Sequence, residues 1–274
     1  MKSALSLLLL SLAAGTSRHQ RAFAFCPPPS ATTAAPGTTK AAGAGSTSTS
    51  TSTGLSMALT LYGSQGSRSP LVNWGAAEVG LPVSMARNLS DNPHPFGQIP
   101  CLADSGSGET VVVFESGAIL QHLYGKAEST DGDSDRRAAA VTSWISWANA
   151  SLDPICFIET PDGKVYDTGL KKPNKRIDVL EKLLGEQDFL VEGGFSLADV
   201  AVASYLLYVP QFFQGVSLSR WPNVVSYMKR CAEREAYGAA FGPQVQAYLV
   251  AACEGMLLEA GSGGGDKKKL FGMF

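Results

Sequence analysis

From residue 59 onward the apolar and polar positions fall into readable patterns. Leu59-Thr60-Leu61-Tyr62 alternates and is rich in β formers, which predicts a short strand. Loop 63–69 follows, and Ser69-Pro70 opens a helix, with Ser as N-cap and Pro in the first turn. Leu71, Val72, Trp74, Ala77 and Val79 are its apolar positions; Gly80 and Pro82 stop it. A second strand is expected over 83–89. Residues 98–103 and 110–114 read as a hairpin closed by Asp104-Ser105-Gly106-Ser107-Gly108. A helix over 116–126 completes a β-α-β-loop-β-β-α order, an α/β unit of about seventy residues.

The second half shows no convincing strand. Residues 131–135 are a polar linker, and Asp135 suits the N-terminus of the next helix. Residues 136–152 carry Val141, Trp144, Ile145 and Ala148 at three- and four-residue spacing, an amphipathic helix. Another spans 171–184, with Ile177, Leu180, Leu183 and Leu184 on one face. Ser196 and Asp199 stand at capping-box spacing, flanked by Phe195 and Val200 as a hydrophobic staple. The run behind them is almost wholly apolar to Val209, which places that helix inside a bundle. Trp221-Pro222-Asn223 starts a further helix ending near Arg234.

The first 56 residues follow neither pattern. They contain no acid, and Lys2, Arg18, Arg21 and Lys40 give them a charge of +4. Lys2 followed by the apolar run 4–14 reads as a signal peptide, with a small-residue cleavage region at Ala22 and Ala24 (1–24). Residues 25–56 are dominated by Ala, Pro, Gly, Ser and Thr. With so few large apolar side chains they cannot offset an ordering entropy of ~1–2 kcal/mol per residue, so disorder is expected. Subtracting +4 from the chain's −2 leaves −6 on the remainder. The junction Arg21-Ala22-Phe23-Ala24-Phe25 resembles the bipartite presequence of plastid proteins in algae with secondary plastids. That resemblance implies delivery to the plastid; plain secretion or residence in the endomembrane system is the alternative.

Composition narrows the function classes. The chain has 274 residues, 45% of them hydrophobic, enough for a substantial core. Its mild acidity argues against a nucleic-acid partner. No apolar run reaches the ~18–20 residues of a membrane span. Five cysteines with no Cys-x-x-Cys pair exclude the commonest zinc and dithiol sites. Cys101, Cys156, Cys231 and Cys253 are scattered, and His19 and His122 fall in no metal-ligand spacing, so no metal is expected. Asn88-Leu89-Ser90 and Asn149-Ala150-Ser151 are glycosylation sequons. They matter only for a protein kept in the secretory route.

Four segments carry a family resemblance. They are Asn92-Pro93-His94-Pro95-Phe96-Gly97-Gln98-Ile99-Pro100, Val113-Phe114-Glu115-Ser116-Gly117-Ala118-Ile119-Leu120, the Phe195 to Asp199 box, and Trp221-Pro222-Asn223-Val224. Together they resemble the glutathione S-transferases, although the first has two extra residues and Glu235 stands where a Pro is usual. The resemblance implies a thioredoxin-like α/β domain over 57–127 and an all-α helical-bundle domain over 136–258; the Gly/Ser composition and Lys267-Lys268-Lys269 of residues 259–274 read as a flexible tail. The resemblance also implies glutathione as co-substrate, a small hydrophobic electrophile and a homodimer.

Site residues follow from the same resemblance. A cis peptide before Pro100 lets the backbone of Ile99 pair with the cysteinyl part of glutathione, as in strand addition. Glu115 and Ser116 suit the γ-glutamyl end: Glu115 takes the ammonium, and Ser116 with the helix N-terminus takes the carboxylate. Gln98 adds a polar contact. The loop Gly63-Ser64-Gln65-Gly66-Ser67-Arg68-Ser69 contains no Tyr or Cys to stabilise a thiolate, leaving its serines. Counting from Tyr62-Gly63, Ser67 matches the serine of the Phi-like classes; Ser69 is the N-cap and Ser64 the third choice. Tyr62 reads as packed, Arg68 as solvated, and His94 as a weaker candidate for the glycine carboxylate. Trp144, Trp147, Phe157 and Tyr205 are candidate electrophile linings. The expected reaction is conjugation of the glutathione thiolate to an electrophile, or reduction of an organic peroxide. A non-catalytic transferase-like binding or docking protein is the alternative. The transferase-like domain of elongation factor one gamma is a third reading, which the presequence disfavours.

Overall fold

The computed structural model describes residues 59–106, 108–128 and 135–263. The signal and transit segments, linker 131–134 and tail residues 264–274 lie outside the described residues. The first unit runs β1 (Leu59–Tyr62), α1 (Ser69–Glu78), β2 (Val83–Met85), β3 (Cys101–Asp104), β4 (Val111–Phe114) and α2 (Ser116–Glu128). Its four-stranded sheet has the order β2-β1-β3-β4. β1 pairs in parallel with β2 and antiparallel with β3, and β3 pairs antiparallel with β4. Alternation puts Leu59, Leu61 and Leu102 on one buried face, in one core with Leu71, Trp74, Leu120 and Leu123.

Two strands are shorter than expected, each for a local reason. After Met85, the Asn88 side chain accepts the Ser90 N–H and starts a 3-10 turn, Leu89–Asp91. Captured in this way, the backbone cannot continue the β2 ladder. Pro100 has no N–H to give a ladder, so β3 begins at Cys101 rather than at Gln98.

The second unit begins with α3 (Asp135–Trp147), a π segment (Ala148–Leu152) and α4 (Asp153–Cys156). A hairpin of β5 (Ile158–Glu159) and β6 (Val165–Asp167) follows, which corrects the expectation of a strand-free second half. The turn between them is Thr160-Pro161-Asp162-Gly163, with Gly163 at φ 80°. Then come α5 (Lys175–Glu186), α6 (Leu197–Phe212), α7 (Pro222–Ala232), α8 (Glu235–Phe241) and α9 (Pro243–Gly263). α5 starts later than its apolar pattern because Asn174 caps it, accepting the Arg176 N–H at 3.0 Å. α9 continues the helix past Leu258.

α6 is the buried axis of the bundle, and its capping box forms as expected. Ser196 accepts the Ala198 N–H, while Asp199 accepts the N–H groups of Ser196 and Leu190. Burial outweighs these bonds and raises the Asp199 carboxyl to about 6. The two units share one core. Trp74 of α1 meets Phe195, Tyr237 and Phe241, and Glu78 binds the Arg234 guanidinium through both oxygens at 2.6 and 2.7 Å. No helix among the described residues is long and apolar enough to cross a membrane.

Candidate functional site

The sheet register assembles the sequence-derived candidates. Tyr62 pairs with Cys101, and Cys101 pairs with Phe114. These three residues form one row at one end of the sheet. Immediately beyond the row lie the serine loop after Tyr62, Gln98-Ile99-Pro100 before Cys101, and Glu115-Ser116 after Phe114. Two strand spacings separate the outer segments, about 10 Å, which is close to the ~3.3–3.6 Å per residue of an extended tripeptide. The Ile99–Pro100 peptide is cis, as the resemblance implies.

In the serine loop the hydroxyls are wired to one another. Ser67 Oγ donates to the Ser64 carbonyl at 2.8 Å and accepts the Ser69 N–H at 3.1 Å. It also lies 2.7 Å from Ser69 Oγ, which accepts the Ser64 N–H. Gly63 is required beneath this knot, since a Cβ there would stand 2.0 Å from Ser69 Oγ. The N-cap of α1 is therefore Arg68, not Ser69, because the Ser69 hydroxyl is used backwards, on the loop. Ser67 and Ser69 are buried, and Ser64 is half-buried.

At the opposite side of the row, Glu115 is exposed with φ 68° and its carbonyl starts α2 by accepting the Ile119 N–H. Ser116 is buried at the helix start. Asn92 Nδ2 donates to the Gln98 carbonyl at 2.8 Å and so ties down the loop that carries the two extra residues. His94 is also buried; its Nδ1 accepts the Phe96 N–H at 3.0 Å and its ring lies 4.7 Å from that of Phe114. This makes His94 a loop anchor, with one ring nitrogen committed to the backbone.

Arg68 departs from the expected solvated residue. Its side chain is 13% exposed and grips both oxygens of Asp153 at 2.6 and 2.7 Å. The guanidinium lies 5.3 Å from the Tyr205 ring centroid. Burial pushes the Tyr205 hydroxyl up to about 12, so it stays protonated and donates to Asn149 Oδ1 at 3.3 Å. Sequence patterns missed Asp153 and Asn149. Their signal was a pair of polar residues four apart, Asn149 at the end of the 136–152 pattern and Asp153 just beyond it.

The four candidate linings divide. Phe157 and Tyr205 are core residues whose rings lie 6.3 Å apart, with Tyr205 beside Arg68. Trp144 and Trp147 instead line a groove of about 540 Å³ with Val179, Leu180 and Leu183 of α5. A second apolar surface lies on the first unit, where Phe96 is 73% exposed beside Phe114 and Val112. Cys101, Cys156, Cys231 and Cys253 are buried free thiols, and burial raises the pKa of each. Among the described residues no group of His, Cys, Asp and Glu is arranged to hold a metal.

Comparison with known proteins agrees with this architecture. Residues 142–235 match the family described as glutathione S-transferase, C-terminal domain. Glutathione S-transferase aclG of Aspergillus oryzae is 30% identical over 157 residues, 52% of this chain and 71% of that protein. Elongation factor 1-gamma of Carassius auratus is 27% identical over 54% of this chain, but the match spans only 34% of that protein. Among solved structures, Ure2p5 from Phanerochaete chrysosporium, cocrystallized with 1-(S-glutathionyl)-2,4-dinitrobenzene, shares the fold. Its TM-score is 0.56 at 20% identity, covering 71% of this chain and 97% of that one. The extent of the match to the Aspergillus enzyme, with the family model lying on the helical half, carries the conclusion that the chain belongs to the glutathione S-transferase family.

Proposed function

We propose that the protein is a glutathione transferase that conjugates the glutathione thiolate to small hydrophobic electrophiles or reduces organic peroxides. The observation that carries this reading is the row Tyr62-Cys101-Phe114, which sets the serine loop, Ile99-Pro100 and Glu115-Ser116 side by side. On this reading the cysteinyl backbone pairs with Ile99 ahead of Pro100. The γ-glutamyl carboxylate meets Ser116 and the N-terminus of α2, its ammonium meets Glu115, and Gln98 adds a polar contact.

The thiol must ionise to react, and a free thiol has a pKa of ~8.5. One hydroxyl donating to the thiolate contributes ~1.5–3 kcal/mol, which lowers that value by about one to two units. Ser67 is the assigned donor. Its oxygen already accepts the Ser69 N–H, so turning its proton from the Ser64 carbonyl to a thiolate leaves its acceptor side satisfied. Ser64 and Ser69 are the alternatives. Glutathione is a co-substrate, and the mechanism uses no metal.

The test is glutathione binding, the ultraviolet absorbance of bound thiolate, and conjugation of chlorodinitrobenzene, for the wild-type chain beside Ser67→Ala and Ser64→Ala. Turnover in wild type, with the thiol pKa raised in Ser67→Ala, is the expected result. Binding without turnover refutes the enzyme and leaves a glutathione-binding or docking protein, a reading favoured by the internal hydrogen bonding of the Ser67 hydroxyl and by the elongation factor 1-gamma match. A change in Ser64→Ala alone transfers the role to Ser64.

The working form on this reading is a homodimer, supported by an exposed apolar patch on the first unit and an apolar groove on the second. On sequence grounds its compartment is the plastid. A fluorescent fusion of residues 1–56 that enters the secretory route instead would refute that assignment.

A further inference from the structure

Two chains of contacts run from the second unit into the first, and both start on one short stretch of backbone. The π segment Ala148–Leu152 shifts the helical register, and such segments recur at functional positions. Here it turns Asn149 and Asp153 toward the first unit. The Asn149 amide packs on Gly117, where a Cβ would stand 2.6 Å from Asn149 Nδ2. Its Oδ1 accepts the Tyr205 hydroxyl, and Ser116 lies against that same Tyr205 oxygen. Four residues later Asp153 clamps Arg68 through both carboxylate oxygens. Arg68 follows Ser67 directly and caps α1. The guanidinium beside the Tyr205 ring brings the two chains together.

We infer that the stretch from Asn149 in the π segment to Asp153 at the start of α4 is the positioning element of the glutathione site: Asn149 sets Ser116 through Tyr205, and Asp153 sets Ser67 through Arg68. The inference rests on reading Ser67 and Ser116 as glutathione-site residues. On this reading the four positioning side chains act through Ser116 and Ser67. The proton of Tyr205 is committed to Asn149, so its oxygen is left as an acceptor that fixes the Ser116 hydroxyl. That leaves the N–H groups of the first turn of α2 aimed at the incoming carboxylate. Arg68 Nη2 donates to both Asp153 oxygens in a pair shielded from water, a charge-assisted contact that fixes the loop backbone on either side of Arg68. Hydrogen-bond strength falls steeply with angle, and a small displacement of Ser67 weakens its bond to a thiolate.

The test uses the full chain as wild type, Tyr205→Phe, Asn149→Ala and Asp153→Asn. Two quantities are read without requiring turnover: the glutathione Kd by calorimetry, and the pKa of the bound thiol from thiolate absorbance. Tyr205→Phe and Asn149→Ala are expected to weaken binding about three- to tenfold with the thiol pKa unmoved. Asp153→Asn is expected to raise that pKa by about one unit with little change in Kd. If Asp153→Asn does not fold, Arg68→Gln combined with Asp153→Asn leaves no lone buried charge and gives the same readout. Folded variants that leave both quantities at wild-type values, or move both in parallel, overturn the proposal. A wild-type chain that binds no glutathione overturns the glutathione reading itself, and this inference with it.

Discussion

Among the described residues Glu115 is the only non-glycine with a left-handed backbone, at φ 68°. That conformation costs an L-residue about 1–2 kcal/mol. It persists because the chain must leave β4 and start α2 within one residue, with the Glu115 carbonyl already capping the helix. Glycine adopts the same backbone freely, so an ordinary turn would favour glycine here. The proposed glutathione reading gives the side chain at this point a use outside the fold. Glu115→Gly is expected to hold or raise the melting temperature while weakening glutathione binding by tenfold or more, roughly the loss of one charge-assisted bond. Calorimetric titration beside a thermal melt checks both parts; weaker binding with a lowered melting temperature would make Glu115 merely structural. Glu115 was legible in sequence through its neighbours, whereas Arg68 was not. A loop arginine between serines looks solvated until the fold brings Asp153 to it from 85 positions away.

Elements are tied together by buried carboxylates, and Asp104 is the clearest case. It closes β3, accepts the Gly106 N–H in the hairpin turn, and binds His122 and Lys126 of α2 at 2.8 and 2.7 Å. Burial alone would raise its pKa; the bonds from Lys126 and His122, the Gly106 N–H and the Lys126 charge override this and hold it at about 2. A folded pKa below the unfolded ~3.9 gives stability that is present above pH 4 and lost as pH falls toward 2, about 2 kcal/mol in all. Asp104→Asn is expected to lose about that much at pH 7 and to flatten the acid limb of denaturant midpoint against pH. An unchanged acid limb would remove Asp104 from that role.

Ser196→Ala, which removes the side-chain cap of α6, is expected to cost about 1 kcal/mol in urea unfolding. The capping box was readable because all its partners lie within four residues. The β5–β6 hairpin escaped because its strands hold two and three residues, too few for a period, although Pro161-Asp162-Gly163 is a turn signal. The π segment escaped because Val141, Ile145, Ala148 and Leu152 satisfy a helical spacing straight through it.

At the scale of the whole molecule the two units are locked by contacts that leave two apolar surfaces outside. Trp74 and the Glu78–Arg234 pair close one side of the junction, and Arg68–Asp153 closes the other. Neither lock covers Phe96 and Phe114 on the first unit, nor Trp144, Trp147, Val179 and Leu183 around the groove on the second. A two-fold axis that brings the first unit of one copy against the second unit of another would bury both surfaces twice, which is the economy of an isologous interface. Phe96 stands in the loop between the Leu89–Asp91 turn and β3, outside the core. With 73% of its surface exposed, Phe96 contributes little to that fold. Phe96→Ser is therefore expected to turn a dimer into a monomer in sedimentation at micromolar concentration, with the circular dichroism spectrum unchanged. Val179→Glu, at a half-exposed position on the groove, should do the same from the other side. The double variant should add nothing further, because both changes remove one contact. A monomeric wild-type chain, or a dimer that survives both substitutions, would refute this arrangement.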